Sequence, residues 1–91
     1  MSYDLIDLKL VQAIAECGTL TQAAAKIGLS PSSASVRLSQ VESTLNVLLF
    51  IRRARGLTPT IAGSVALRHV SKILTQLSNM ESDFGIPLRA D

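Results

Sequence analysis

Residues 23–42, AAAKIGLSPSSASVRLSQVE, are the stretch from which the fold can be worked out. Ser30 followed by Pro31 is the clearest helix start in the chain. A serine oxygen accepts hydrogen bonds from the free backbone N–H groups of a first turn. Proline just after it gives up only a donor that has no helical partner there. Downstream, Ala34, Leu38, Val41 and Leu45 recur in steps of four, three and four, which predicts one buried stripe on a helix over about 31–45. Its opposite face carries Ser32, Ser33, Val36, Arg37 and Gln40. Upstream, Thr19 or Thr21 can cap a short helix over about 21–27, which Gly28 then breaks. Two helices that meet across so tight a turn must cross closely, and the small Ala23 and Ala24 permit it.

The flanking sequence fits around this pair. Residues 4–17 place Leu5, Leu8, Val11 and Ile14 at helical spacing, widened by Leu10 and Cys17, with Asp4 and Asp7 at the positive end of the helix dipole and Gly18 as its stop. After the central pair, LLFIR and GLTPT are short apolar or β-branched arms around "RAR", which predicts a hairpin whose second arm Pro59 confines to an edge. A bare loop fits that segment nearly as well. From the capping Thr60 a long helix follows. Ala66, Val70, Ile73, Leu77, Met80 and Phe84 alternate by four and three along it, a heptad seam suited to a partner helix. Leu67 and Leu74 beside the seam are expected to pack on the domain itself.

A chain of 91 residues suits one small domain, and 47% hydrophobic with 3% aromatic residues calls for an aliphatic, mainly α-helical core. The net charge of +2 is unevenly spread. Residues 1–18 hold Asp4, Asp7 and Glu16 against Lys9, whereas residues 19–60 hold Lys26, Arg37, Arg52, Arg53 and Arg55 against Glu42. Such a basic middle points to a polyanion on one face. Cys17 is the single cysteine and His69 the single histidine, so no internal disulfide or metal site is expected, and no cofactor either. Cys17 reads as a small buried hydrophobe and His69 as a helix-surface residue. There are no signal-like or membrane-length apolar runs, so a soluble, reducing, cytoplasmic setting with no membrane partner is expected. Paired carboxylates in an apolar setting, a His/Cys cluster and a glycine-rich phosphate loop are all lacking, so the chain is not expected to be an enzyme.

The constellation is that of a helix-turn-helix, over about 20–45, with a wing over about 49–60. In that arrangement the second helix enters the DNA major groove. The residues expected to meet DNA are Thr21, Ser30, Ser32, Ser33, Val36, Arg37 and Gln40, with Ser30 and Ser32 suited to the phosphate backbone. Arg37 and Gln40 are suited to either bases or phosphates. From the wing, Arg55 near the tip suits the minor groove, and Arg52 and Arg53 suit phosphates or helix packing. A second reading stays open: a protein-interaction or dimerisation module in which DNA binding is weak or secondary.

These residues resemble the N-terminal DNA-binding domain of LysR-type transcriptional regulators over about residues 5–77. In GTLTQAAAKIGLSPSSASVRLSQVESTLNVLLFIR the matching positions are Thr19, Leu20, Thr21, Ala23, Ala24, Ser30, Ser35, Glu42, Leu49, Phe50 and Arg52. In RGLTPTIAG they are Arg55, Gly56, Thr60, Ala62 and Gly63. The sequence departs from the family pattern at Pro31 (often Gln), Val36 (often Arg), Asn46 (often Gly), Ile51 (often Glu) and Pro59 (often Leu). The resemblance implies a winged helix-turn-helix DNA-binding domain over 1–59 and a linker helix over 60–84 that pairs in a homodimer, with a tetramer open for a full-length protein. It also implies that residues 85–91 begin an effector domain not contained in the chain, through which alone a small-molecule effector acts.

Overall fold

The computed structural model describes residues 3–85. In chain order it contains α1 (Leu5–Cys17), α2 (Leu20–Lys26), α3 (Pro31–Leu45), β1 (Phe50–Arg53), β2 (Gly56–Pro59) and α4 (Ile61–Asp83). This is the expected mainly α winged helix-turn-helix with a long last helix. The expectation for residues 86–91, the start of a further domain, lies outside the described residues.

Local chemistry sets each helix end. Asp4 accepts the Asp7 N–H at 3.0 Å while the Asp7 carboxylate accepts the Asp4 N–H at 3.0 Å, a reciprocal capping box. Ser30 caps α3 by accepting from the Ser33 N–H at 3.1 Å, with Pro31 opening the helix. Of the two threonines that could cap α2, it is Thr19 that accepts from the Gln22 N–H, so the helix begins at Leu20. Asn46 ends α3 with a left-handed φ of 58°, a conformation asparagine reaches more readily than most residues. Thr60 caps α4 by accepting from the Gly63 N–H at 2.9 Å and donates its own hydroxyl to the Leu48 carbonyl.

The core lies where the helices cross. Leu10, Val11, Ala13 and Ile14 of α1 meet Ala23 and Ala24 of α2, Ala34, Leu38 and Val41 of α3, then Leu49, Phe50 and Val70. Ala23, Ala24 and Ala34 are fully excluded from solvent, small residues in a core otherwise filled by Leu10, Val11, Ile14, Leu38 and Val41 of α1 and α3. Leu67 and Leu74 pack against this core as expected, and His69 is exposed. Cys17 is half-buried against the core.

Three predicted stripes shift. Leu5, expected inside, is 43% exposed, because α1 turns Asp7 inward along with Leu10, Val11 and Ile14. Leu45 is 42% exposed at the C-terminal end of α3, next to the capping Asn46. Val70, placed on the partner seam, is only 5% exposed and belongs to the domain's own core. Ala66 also packs on that core. Ile73, Met80 and Phe84 remain on the surface.

The hairpin forms with Phe50 opposite Pro59 and Arg53 opposite Gly56, leaving Ala54 and Arg55 as the turn. Its turn end sits directly on backbone. The Leu57 N–H donates to the Gly18 carbonyl at 2.8 Å, and a Cβ on Gly56 would lie 2.2 Å from that oxygen. A Cβ on Gly63 would lie 2.0 Å from the Leu49 carbonyl, which itself accepts the Thr60 N–H. Gly63→Ala therefore has to separate α4 from the segment before the wing. The expected loss, about 1–3 kcal/mol as in other overpacked sites, is measured as a lowered midpoint in urea unfolding, with Gly56→Ala moving the same way.

Candidate nucleic-acid interface

The candidate residues lie on α3, the start of α2 and the wing. On α3, Ser32, Ser33, Val36 and Gln40 are exposed, along a helix whose other side is locked by Ala34, Leu38 and Val41. The Ser30 hydroxyl is taken up by the cap and lies 3.3 Å from that of Ser32. Thr21 is exposed on the first turn of α2. Arg52, Arg53 and Arg55 are exposed on the wing, and among the described residues none of them makes an ion pair. Arg52 borders the gap between β1 and α3, near Ser35 and Ser39.

The other two cations of the basic middle are engaged. Lys26 Nζ donates to Glu16 at 2.7 Å, a surface pair that raises the lysine's pKa through that hydrogen bond. Arg37 turns towards α1. Its Nη1 donates to Asp7 Oδ1 at 2.9 Å and to Asp4 Oδ1 at 3.3 Å. Asp7 is 3% exposed. Its hydrogen bond and charge raise the arginine's pKa further. Asp4 is held below the ordinary 3.8, first by the Asp7 backbone N–H and then by the charge of Arg37. An open cleft of about 640 Å³ runs between the start of α1 and α3, bordered by Tyr3, Asp4, Asp7, Ser32, Ser33, Val36, Arg37 and Gln40.

Sequence reading missed two residues that position this face. Asp7 was legible only as a dipole-favouring acid, although it lies three residues before Leu10 and seven before Ile14, in phase with the apolar stripe. That phase was the available signal. Glu42 accepts the Leu49 N–H at 2.8 Å and the Phe50 N–H at 3.4 Å, tying the last turn of α3 to the wing. No local pattern indicates that role, because the partners are backbone groups seven and eight residues away. No cluster of three or more metal-binding side chains occurs among the described residues, and none of their helices is long and apolar enough to cross a membrane.

The family model for bacterial regulatory helix-turn-helix proteins of the lysR family matches residues 5–64. The chain belongs to the LysR family. It carries that family's helix-turn-helix DNA-binding domain. Among relatives, it is 37% identical over 68 residues to the uncharacterized HTH-type transcriptional regulator YusT of Bacillus subtilis, covering 75% of this chain and 23% of that protein. It is 39% identical over 69 residues to the nitrogen assimilation regulatory protein nac of Escherichia coli, covering 76% and 23%. The chain thus spans about a quarter of the length of such relatives. Among solved structures, the DNA-binding domain of CbnR in complex with DNA superposes with a TM-score of 0.79 at 29% identity, over 90% of this chain and 93% of that one. The domain of BenM bound to catB site 1 DNA gives 0.85 at 24% identity over 90% and 91%, a likeness of fold.

The depressed pKa of Asp4 has a defined sign in this LysR-family domain. Its charge adds stability above the ordinary aspartate value, and that contribution is lost as pH falls through the lower folded value. Asp4→Asn keeps an oxygen at the cap but does not titrate. From about pH 4 downward the wild type should lose stability more steeply than Asp4→Asn, as followed by urea unfolding at successive pH values.

Proposed function

We propose that this domain binds double-stranded DNA sequence-specifically, as the DNA-reading module of a bacterial LysR-type transcriptional regulator acting in the cytoplasm on the nucleoid. The observation that carries the reading is the combination of an exposed polar face on α3 with three wing arginines that make no ion pair among the described residues. An α-helix with its side chains is about 10–12 Å across, which matches the roughly 12 Å major groove. In this docking Ser32, Ser33, Val36 and Gln40 meet base edges and the flanking backbone, with Val36 offering an apolar contact to a thymine methyl. Thr21 and Ser30 approach phosphates near the two helix starts. Arg55 at the hairpin tip enters the minor groove, and Arg52 and Arg53 neutralise phosphates beside it. DNA complexes of the CbnR and BenM domains support this reading.

The module acts as a homodimer through α4, whose Ile73, Met80 and Phe84 lie exposed, with Leu77 beside them. Two-fold pairing would present two copies of α3 to the two halves of a palindromic site. In a longer regulator a small-molecule effector would act through a further domain, where tetramer formation also belongs.

The test is a fluorescence anisotropy titration on a palindromic duplex and a scrambled one over a series of salt concentrations. Binding should weaken steeply with salt, and Arg52→Ala, Arg53→Ala or Arg55→Ala should each lower the log–log salt slope by about 0.9 for every phosphate contact removed. Val36→Ala should alter the preference between duplexes with little change in slope. Absence of binding to either duplex would favour a module that serves protein contacts alone. For the dimer, sedimentation equilibrium should give twice the chain mass for the wild type and the single-chain mass for an Ile73→Glu/Met80→Glu double variant.

A further inference from the structure

Arg37 projects from the middle of α3, between Ser33 and Gln40, yet it is committed to the start of α1 across the cleft. Its Nη1 donates to Asp7 Oδ1 at 2.9 Å and Asp4 Oδ1 at 3.3 Å, across 30 and 33 residues of chain. Among the described residues Asp7 is the buried charged side chain, with 4% of that side chain accessible against 30% for Arg37. Its other oxygen accepts the Asp4 N–H, and Asp4 in turn accepts the Asp7 N–H. The first turn of α1 and the middle of α3 are thereby joined by one closed set of hydrogen bonds.

Two physical consequences separate Arg37 from the wing arginines. Moving the guanidinium onto DNA would strand a buried carboxylate oxygen without its cation, which is strongly unfavourable. The trio of Asp4, Asp7 and Arg37 also carries a formal charge of −1, so that even in place it does not attract a phosphate. We infer that Arg37 is a positioning residue: paired with Asp7, it sets the angle at which α3 presents Ser33, Val36 and Gln40, and it makes no contact with DNA. Asp7 accordingly restrains a cation that would otherwise add sequence-independent affinity. This inference rests on the DNA-binding reading above.

The experiment uses the 91-residue chain and two labelled duplexes: one enriched by the wild type from a random-sequence library, and its scrambled counterpart. Three variants are compared: Arg37→Gln, Asp7→Asn and the double Asp7→Asn/Arg37→Gln, which leaves no orphaned buried charge and so keeps the test readable even where Arg37→Gln alone loses stability. Arg37→Gln and the double variant should keep the wild-type salt slope while losing about tenfold in discrimination between the duplexes. Asp7→Asn should bind the scrambled duplex more tightly, with a slope steeper by up to about 0.9 as the released arginine reaches a phosphate. A slope reduced by about 0.9 in both Arg37→Gln and the double variant would make Arg37 a phosphate contact and overturn the inference, leaving DNA binding intact. Wild-type slope and discrimination in all three variants would reduce the pair to a fold contact and overturn it equally. If the wild type itself shows no salt-dependent binding, the DNA-binding reading fails and the positioning role falls with it.

Discussion

Direct backbone-to-backbone approach holds the parts of this small domain at their separations. Ala23, Ala24 and Ala34 lie in the helical core with no solvent access, small methyl groups that let their helices come close beside the longer Leu10, Ile14 and Leu38. The same holds at the wing. Gly56 sits under the Gly18 carbonyl and Gly63 under that of Leu49, each with no room for a Cβ. Short contacts of this kind are stiff, because a methyl group or a missing Cβ offers no alternative rotamer through which the neighbours could slide. The wing and α3 are therefore positioned relative to each other by α1, α2 and the start of α4, and Glu42 closes the frame by accepting two N–H groups at the entry to β1.

Charge is divided between holding this frame and facing outward. Lys26 and Arg37 are spent on Glu16, Asp7 and Asp4, and the three wing arginines stay unpaired among the described residues. A surface pair such as Lys26–Glu16 contributes little to stability. The Asp7–Arg37 pair is different, because one of its partners is buried and would be left uncompensated if the other moved away. The basic character of the central sequence thus becomes, in three dimensions, a positively charged wing beside a nearly neutral helix face. On the proposed DNA-reading role, this distribution keeps non-directional attraction apart from the side chains proposed to meet bases.

The last helix serves two surfaces. Its first half completes the core through Gly63, Ala66 and Val70, and its second half extends outward with Ile73, Met80 and Phe84 uncovered. A 23-residue helix is about 35 Å long, which accounts for most of the 43 Å long axis of the molecule. Stability of the domain and the proposed pairing with a second copy are consequently coupled, because both would load the same element.

Sequence alone located the four helices, the tight turn and the small-residue crossing, because caps, turns and periodicity act within a few residues of themselves. That Thr19 caps α2 and that the arms pair as a hairpin were decided in three dimensions. Ser30 with Pro31, Gly18, Thr60 and Asn46 all behave as their local chemistry dictates. The family was also legible, since its motifs run through these same local signals and the match covers residues 5–64. Of the interface, the polar face of α3 and the arginine wing could be read, but the fate of Arg37 could not. Whether a cation faces solvent or a buried carboxylate depends on a partner 30 residues away, and helical spacing says nothing about such a meeting. Leu5, Leu45 and Val70 changed sides for the same reason. Periodicity gives the width of an apolar stripe, whereas its rotation and length are decided by which neighbouring elements arrive to cover it.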